Sequence, residues 1–376
     1  MRLAFALYKY FPYGGLARDF LRIARRCLEK GHTVDVYVMK WEDATADGLT
    51  VHVLPSKGLS NHSRVADFHR QLADKLQNEN YDGVIGFNKI PNLDVYYAAD
   101  PCYIERFENA SVMQKLNPRY KFYSSVERQV FGVDSQTVCL MISDVQATLF
   151  RKYYGVADER LVMLPPGIDI DRRRPENVDD SREKFREEHG FSKEDIIILL
   201  VGSGFKTKGV DRAILSLASL PSKLKKRTTL MIVGEGKHAA YKRLAAKNKV
   251  TDNVRFMGGR ADVPEFLLGA DVLVHPARKE NTGTAILEAM VAGLPMLVTE
   301  VCGYAKHVKN AQAGIVLREP FVQEELNQQL NDMLLKNKDR WIKNALHYAE
   351  TEDLYSMPKK AVDSIEKIIT GRMNAV

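Results

Sequence analysis

Glu280 and Glu288 frame the segment Glu280-Asn281-Thr282-Gly283-Thr284-Ala285-Ile286-Leu287-Glu288, two carboxylates with seven residues between them. An apolar run, Ala270 to His275, stands just before it. Just after it, Ala289-Met290-Val291-Ala292-Gly293-Leu294-Pro295 reads as a helix ended by Gly and Pro. A strand, a glycine-bearing loop and a helix in that order put backbone N–H groups at a helix N-terminus, where an anion is favoured. A phosphate would sit near Thr282 to Thr284, because Gly283 lets the backbone approach closely. Glu280 would precede the helix and Glu288 would lie inside it, ~10 Å further along the axis at about 1.5 Å per residue. That is the reach of a sugar–diphosphate–ribose unit. One carboxylate could take sugar hydroxyls and the other a ribose diol. Solvated helix faces carry glutamates too. The neighbouring residues are what point to a ligand.

Glycine-rich loops and cations supply the rest of the candidate chemistry. Phe11-Pro12-Tyr13-Gly14-Gly15 follows a first apolar run and opens a helical pattern. It could cradle a pyrophosphate or a sugar phosphate, or simply make a turn. It is not a G-x-G-x-x-G, so no dinucleotide site is indicated. Gly202-Ser203-Gly204-Phe205-Lys206-Thr207-Lys208-Gly209 carries two lysines beside glycines. A departing nucleotide diphosphate develops negative charge, and preorganised cations stabilise it. A solvated loop would show the same lysines. Arg172-Arg173-Arg174, after Pro165-Pro166-Gly167-Ile168-Asp169, could cap the same site or lie on the surface. His62, His275 and His307 read as structural.

The elements that must position these residues alternate. Strand-like runs fall at Arg2 to Leu7, Val34 to Met39, Val51 to Leu54, Val84 to Phe87 and Val138 to Ile142. After Pro165-Pro166-Gly167 the pattern restarts, with strands at Ile196 to Val201, Leu230 to Val233, Val254 to Met257, Val272 to His275, Met296 to Val298 and Gly314 to Val316. Helices are expected at Leu16 to Lys30 and Gly209 to Leu220. Strand–helix alternation with β-branched runs predicts α/β architecture: two Rossmann-like, doubly wound parallel-sheet domains facing across a cleft, with ligands at the carboxyl ends of the strands. The expected domains are 1–168 and 169–351, with a closing helical segment, 352–376, packing back onto the first.

The 376 residues fit two domains of ordinary size, and 45% apolar with 27% charged residues describes a soluble globular chain. The longest aliphatic run, Ile196 to Val201, is far too short to span a bilayer, and no N-terminal stretch has a signal peptide's apolar core. Cys27, Cys102, Cys139 and Cys302 lack metal or redox spacing and read as reduced thiols in a cytoplasm. A net charge of +7 favours anionic partners, such as nucleotide phosphates or an acidic membrane surface.

The chain resembles the retaining glycosyltransferases of family 4, which have the GT-B fold. The residues that carry this are the Glu280/Glu288 segment, Pro165-Pro166-Gly167-Ile168-Asp169, Lys208-Gly209-Val210-Asp211, Gly234-Glu235-Gly236 and Gly293-Leu294-Pro295. Longer blocks, among them Leu7 to Leu16, Asn61 to Arg64, Gly86 to Lys89, Leu93 to Asp100, Val301 to Ala305 and Asp353 to Pro358, are similar to the enzymes of that family that add glucose to the lipopolysaccharide core. The resemblance implies transfer of glucose from UDP-glucose to an inner-core heptose with retention of configuration. It implies that Glu288 binds the ribose, that Glu280 contacts the transferred sugar, and that amides from Asn281 through Thr282 and Gly283 to Thr284 hold sugar and phosphates. Gly15 would touch the diphosphate or sugar, Arg173 and Lys208 the diphosphate, and Gly259-Arg260 the uracil. Ser203 and Thr207 stand where relatives can carry arginine, and Lys206 could supply the missing charge. Asp100 and Asp19 are the first-domain candidates for orienting acceptor or sugar, with helix or turn capping the other use of Asp19. Asp169-Ile170-Asp171 has the form of a metal-binding D-x-D but lies in the hinge. No metal and no cofactor is expected, the UDP-sugar being substrate.

Tyr103 to Arg128 mixes Lys115, Arg119, Lys121 and Arg128 with Phe107, Tyr120, Phe122 and Tyr123. Such a mixture suits a segment lying on anionic lipid, though a nucleic-acid patch or an ordinary amphipathic core helix would show the same residues. A cytoplasmic enzyme peripheral to the inner membrane, with a lipid-anchored acceptor and no nucleic-acid partner, is the expectation. Another UDP-sugar transferase, a phosphorylase or epimerase on the same fold, and a non-catalytic nucleotide-sugar or lipid-binding module are the alternatives.

Overall fold

A computed structural model describes residues 1–12, 14–42 and 48–374, so Tyr13 of the first glycine loop lies outside the described residues. The chain divides into two compact units: Met1–Pro166 with Ser356–Val376, and Gly167–Tyr355.

The first unit is built on seven strands: β1 (Arg2–Tyr10), β2 (Thr33–Trp41), β3 (Thr50–Val53), β4 (Gly83–Gly86), β5 (Val95–Ala98), β6 (Val138–Met141) and β7 (Leu161–Met163), in the order β3-β2-β1-β4-β5-β6-β7. Every pairing between these strands is parallel. Alternate residues of β1 feed different cores: Leu3, Phe5 and Leu7 pack on one face, Ala4 and Ala6 on the other. A strand covered on both faces must be apolar on both, which is why Arg2 to Leu7 reads as a continuous apolar run. The helix Met357–Met373 belongs to this unit. Met357, Ala361, Val362, Ile365 and Ile369 join the core of Leu3 and Phe5, and Lys30 pairs with Asp363 at 2.8 Å and with Glu366 at 2.5 Å.

The second unit holds β8 (Ile196–Val201), β9 (Thr228–Val233), β10 (Val254–Gly258), β11 (Val272–His275), β12 (Met296–Thr299) and β13 (Gly314–Leu317), in the order β10-β9-β8-β11-β12-β13 and again all parallel. Ile196, Ile198 and Leu200 face one core while Ile197 and Leu199 face the other. The strand order reverses between β8 and β11 here and between β1 and β4 in the first unit. Loops at such a switch point diverge and leave room for a ligand at the carboxyl ends of the strands.

Two strands, β5 and β7, lie outside the expected set; the helix expected from Gly209 to Leu220 is present as Val210–Ser219, and a further helical turn, Phe205–Lys208, precedes it across Gly209. Gly209 has φ +71°, and a Cβ there would stand 2.0 Å from the Pro276 carbonyl oxygen. Close approach of the β8 and β11 loops at Gly209 therefore separates the turn from the helix.

Candidate active site

The second unit's candidate residues gather on loops that leave the carboxyl ends of its strands. The loop after β8 carries Lys208, whose stem runs over Gly202; a Cβ on Gly202 would come within 2.8 Å of Lys208 Cε. Nζ of Lys208 is hydrogen-bonded to Glu280 Oε2, on the loop after β11. His275, the last residue of β11, places Nε2 3.3 Å from the same oxygen. Burial lowers the Lys208 ammonium below its ordinary pKa and pushes the His275 imidazole down to about 3.

Glu280 also forms an isolated parallel bridge with Cys302, which fixes the backbone that leads into the next helix. That helix, Thr284–Ala292, starts behind Gly283 at φ +90°. Only glycine takes that conformation without strain. The helix N-terminus has no side-chain cap and no acidic residue in its first turn. Tyr304 N donates to Thr282 O at 2.8 Å and holds the loop on its outer side. A helix N-terminus without a side-chain cap thus stands between the two glutamates.

Glu288 is buried in the second turn, 4% exposed. Its Oε1 lies 3.7 Å from Arg172 Nε. Arg172 is itself nearly buried, and its Nη1 has no hydrogen-bond partner among the described residues. The adjacent arginines go elsewhere. Arg173 lies over the Tyr355 ring at 4.9 Å, and Arg174 Nη1 donates to Ala292 O at 2.6 Å, at the carboxyl end of the Glu288 helix. The run sits on a short 3₁₀ turn, Ile170–Arg172, capped by Asp169 through Ile170 N, and the three side chains leave it in different directions. Of the three, Arg172 is therefore the one beside Glu288. Asp171 pairs with Arg172 Nε at 3.2 Å.

Lys206 is exposed on the same loop as Lys208. Ser203 Oγ accepts the Glu235 N–H at 2.9 Å, and Thr207 Oγ1 donates to Gly204 O at 2.7 Å, so both hydroxyls shape the loop. Gly259 N donates to Glu235 Oε1 at 3.0 Å, and Arg260 is forked onto Asp262, with Nε to Oδ1 at 2.7 Å. The loops after β8, β9 and β10 are thereby joined through Glu235, a residue of the Gly234-Glu235-Gly236 motif that spacing alone does not single out.

In the first unit, Gly15 opens the helix Gly15–Glu29, and a Cβ there would meet nothing within 4 Å. The protein's own packing does not require glycine at this position. Asp19 is engaged on both oxygens, by Arg22 at 2.5 Å and by Tyr97 Oη at 2.8 Å. Asp100, after β5, accepts from Asn88 Nδ2 at 3.2 Å and Tyr96 Oη at 3.4 Å. Asn88 in turn accepts from Tyr8 N at 2.8 Å.

A cavity of about 510 Å³ opens along the edge strand β13 between Glu300, Lys309, Arg318 and Arg340, and none of the expected ligand-binding residues lines it. No group of three or more His, Cys, Asp or Glu among the described residues could hold a metal ion.

The family model described as glycosyl transferases group 1 matches residues 181–348, and that described as Glycosyltransferase Family 4 matches residues 13–172. The lipopolysaccharide glucosyltransferase WaaG of Escherichia coli (strain K12) is 44% identical over 377 residues, covering 100% of both chains. The chain belongs to the family 4, group 1 glycosyltransferases. The crystal structure of WaaG, a glycosyltransferase involved in lipopolysaccharide biosynthesis, superposes with a TM-score of 0.93 at 44% identity, over 96% of this chain and 99% of that one. The fold of this glycosyltransferase is therefore GT-B, with two Rossmann-like parallel-sheet domains. Mannosylfructose-phosphate synthase of Agrobacterium fabrum is 24% identical, over 85% of this chain and 81% of its own. Anabaena Alr3699/HepE, solved in complex with UDP-glucose, shares the fold at a TM-score of 0.74 and 18% identity, over all of both chains.

Proposed function

We propose that this glycosyltransferase moves glucose from UDP-glucose to a heptose of the lipopolysaccharide inner core, with retention of configuration. The observation that carries the reading is the end-to-end, 44% identity to a lipopolysaccharide glucosyltransferase. The second unit's geometry supplies a donor chemistry that agrees with it. Glu288, braced by Arg172, takes the ribose diol. The uncapped N-terminus at Asn281 to Thr284 receives the phosphates, and Lys208 turns from Glu280 to the diphosphate as charge develops there. Glu280, released, contacts the glucose. Lys206 adds charge from the loop surface, and the Gly259-Arg260 loop faces the uracil. The departing phosphate takes the acceptor proton in a front-face attack, so no protein nucleophile is required. The first unit takes the acceptor, with Asp100 held by Asn88 and Tyr96 for its orientation. Asp19, already engaged by Arg22 and Tyr97, serves the packing around the Gly15 helix. No metal enters this scheme.

The test supplies UDP-glucose with deep-rough lipopolysaccharide that ends in heptose. The expected result is incorporation of glucose with release of UDP. No transfer there, with transfer from another nucleotide sugar, would overturn the donor. Turnover of UDP-glucose without the lipid would favour a phosphorylase or epimerase.

Peripheral binding to the inner membrane on the cytoplasmic side completes the proposal. Val112, Met113 and Leu116 stand 76%, 82% and 57% exposed on the helix Val112–Leu116. Lys115, Arg119 and Lys121 lie beside them in sequence, and Tyr103, Phe107, Tyr120 and Tyr123 form a ring cluster behind. Exposed apolar side chains among cations suit a headgroup boundary of anionic lipid. No helix of the described residues is long and apolar enough to cross a membrane. Vesicle flotation should increase with anionic lipid and be lost in Met113→Glu. Flotation indifferent to lipid charge would overturn the proposal.

A further inference from the structure

His275 is an expensive residue to bury. It is 1% exposed, and Nδ1 has no hydrogen-bond partner among the described residues. An apolar side chain would fill the same space without leaving a polar atom unmatched. Its other nitrogen explains its presence. Nε2 lies 3.3 Å from Glu280 Oε2. A carboxylate only accepts, and a neutral imidazole has one N–H to give. The proton therefore resides on Nε2, and Nδ1 keeps a buried lone pair. Burial keeps the ring neutral down to about pH 3.

Lys208 Nζ binds that same oxygen. The two donors differ in kind. Lys208 is a charge on a flexible stem, at the end of a glycine loop. His275 is a neutral donor fixed at the end of a buried strand. We propose that His275 is a positioning residue for Glu280: its Nε2–H keeps the carboxylate in one orientation when Lys208 leaves it for the donor's diphosphate. This rests on the donor-site reading given above. In the free protein Glu280 acts as the internal counter-ion of Lys208, and His275 keeps that carboxylate where the sugar will meet it after the exchange.

The test compares His275→Leu, which removes the donor, with His275→Gln, which restores a neutral N–H. UDP and UDP-glucose affinities are measured by calorimetry, and glucose transfer by kinetics. His275→Leu should bind UDP within about twofold of the parent, lose the extra affinity that UDP-glucose has over UDP, and lower kcat by roughly 10–100-fold. His275→Gln should recover most of both. Equal losses in Leu and Gln, or a Leu variant indistinguishable from the parent, would overturn the proposal. Should the Leu variant not fold, ring ¹⁵N spectra of the labelled parent decide. The Nε2–H neutral tautomer is expected from pH 5 to 8, with and without UDP. An Nδ1–H tautomer or an imidazolium there would sink the idea. A parent that fails to bind UDP-glucose overturns the donor reading together with this one, whereas a failure confined to the His275 variants overturns this one alone.

Discussion

Glu288 Oε1 lies 3.7 Å from Arg172 Nε, and both side chains are more than nine-tenths buried. A carboxylate so placed has a cation to offset its burial and can use its oxygens on a vicinal diol. Charge-assisted hydrogen bonds contribute roughly 1.5–3 kcal/mol, so Glu288→Ala should weaken UDP binding by about 10–150-fold. The variant should also cease to distinguish UDP from 2′-deoxy-UDP. Unchanged UDP affinity in calorimetry would remove Glu288 from the ribose role.

Arg172 and Arg173 are adjacent in sequence and different in situation. Arg172→Ala leaves a buried carboxylate without its cation, a change that can cost about 3–5 kcal/mol. Arg173→Ala removes an exposed guanidinium over the Tyr355 ring, a contact of about 0.5–1 kcal/mol. Urea unfolding should therefore separate the two variants, with Arg172→Ala the less stable and the weaker in binding UDP. A larger loss of UDP affinity in Arg173→Ala would support the diphosphate role that the family resemblance implies for that residue.

Lys208→Met should lower kcat for glucose transfer by on the order of 10²–10³, as expected for loss of one group that stabilises developing charge. The loss in kcat should exceed any change in UDP affinity, because the cation matters most as the phosphate departs. Steady-state kinetics with UDP-glucose checks this. A rise in KM with kcat intact would assign Lys208 to uniform binding instead.

Much of this is legible in the sequence. The continuous apolar run of β1 and the Ile- and Val-rich run of β8 are long enough to declare buried parallel strands. β5 is four residues with two tyrosines, and β7 is three residues just before Pro165, so their strand character comes from pairing with β6 on either side rather than from their own pattern. The Glu280/Glu288 loop was readable because glycine and a helix start leave a sequence signature. Arg172 was not separable from Arg173, since direction on a one-turn 3₁₀ segment depends on the Asp169 cap and on what packs nearby. His275 read as structural because burial leaves no mark of a bond to Glu280; that bond exists only once Pro276 to Lys279 turn the chain back.

Glu127 ties the basic and aromatic stretch to the first unit's core. It is fully buried and accepts from Lys89 Nζ, from Tyr154 Oη at 2.6 Å, and from the N–H groups of Tyr103 and Ile104 at 2.7 and 3.2 Å. Glu127→Leu strands the Lys89 ammonium and leaves the Tyr154 hydroxyl and the N–H groups of Tyr103 and Ile104 unmatched. The expected cost is about 3–5 kcal/mol in urea unfolding. Faster amide exchange should appear first at Tyr103 and Ile104. A variant as stable as the parent would show that the network is dispensable.

Acid should weaken the fold well above the range where carboxylates titrate. Burial holds His69 at about 4 and His275 at about 3, against about 6.5 in an unfolded chain. Each folded-state value is depressed, so each ring's contribution is complete above about pH 6.5 and is lost as pH falls toward the folded values. In that window the unfolded chain binds protons that the folded one does not, and each ring lowers stability by up to about 1.4 kcal/mol per pH unit. Urea titrations between pH 7 and pH 5 should show this slope. His69→Gln keeps a partner for Tyr8 Oη, which lies 2.9 Å from His69 Nε2, but removes one titrating ring. The slope should then fall by about one proton while stability at pH 7 changes little. A slope unaltered by His69→Gln would mean that His69 is protonated in the folded protein as readily as in the unfolded one.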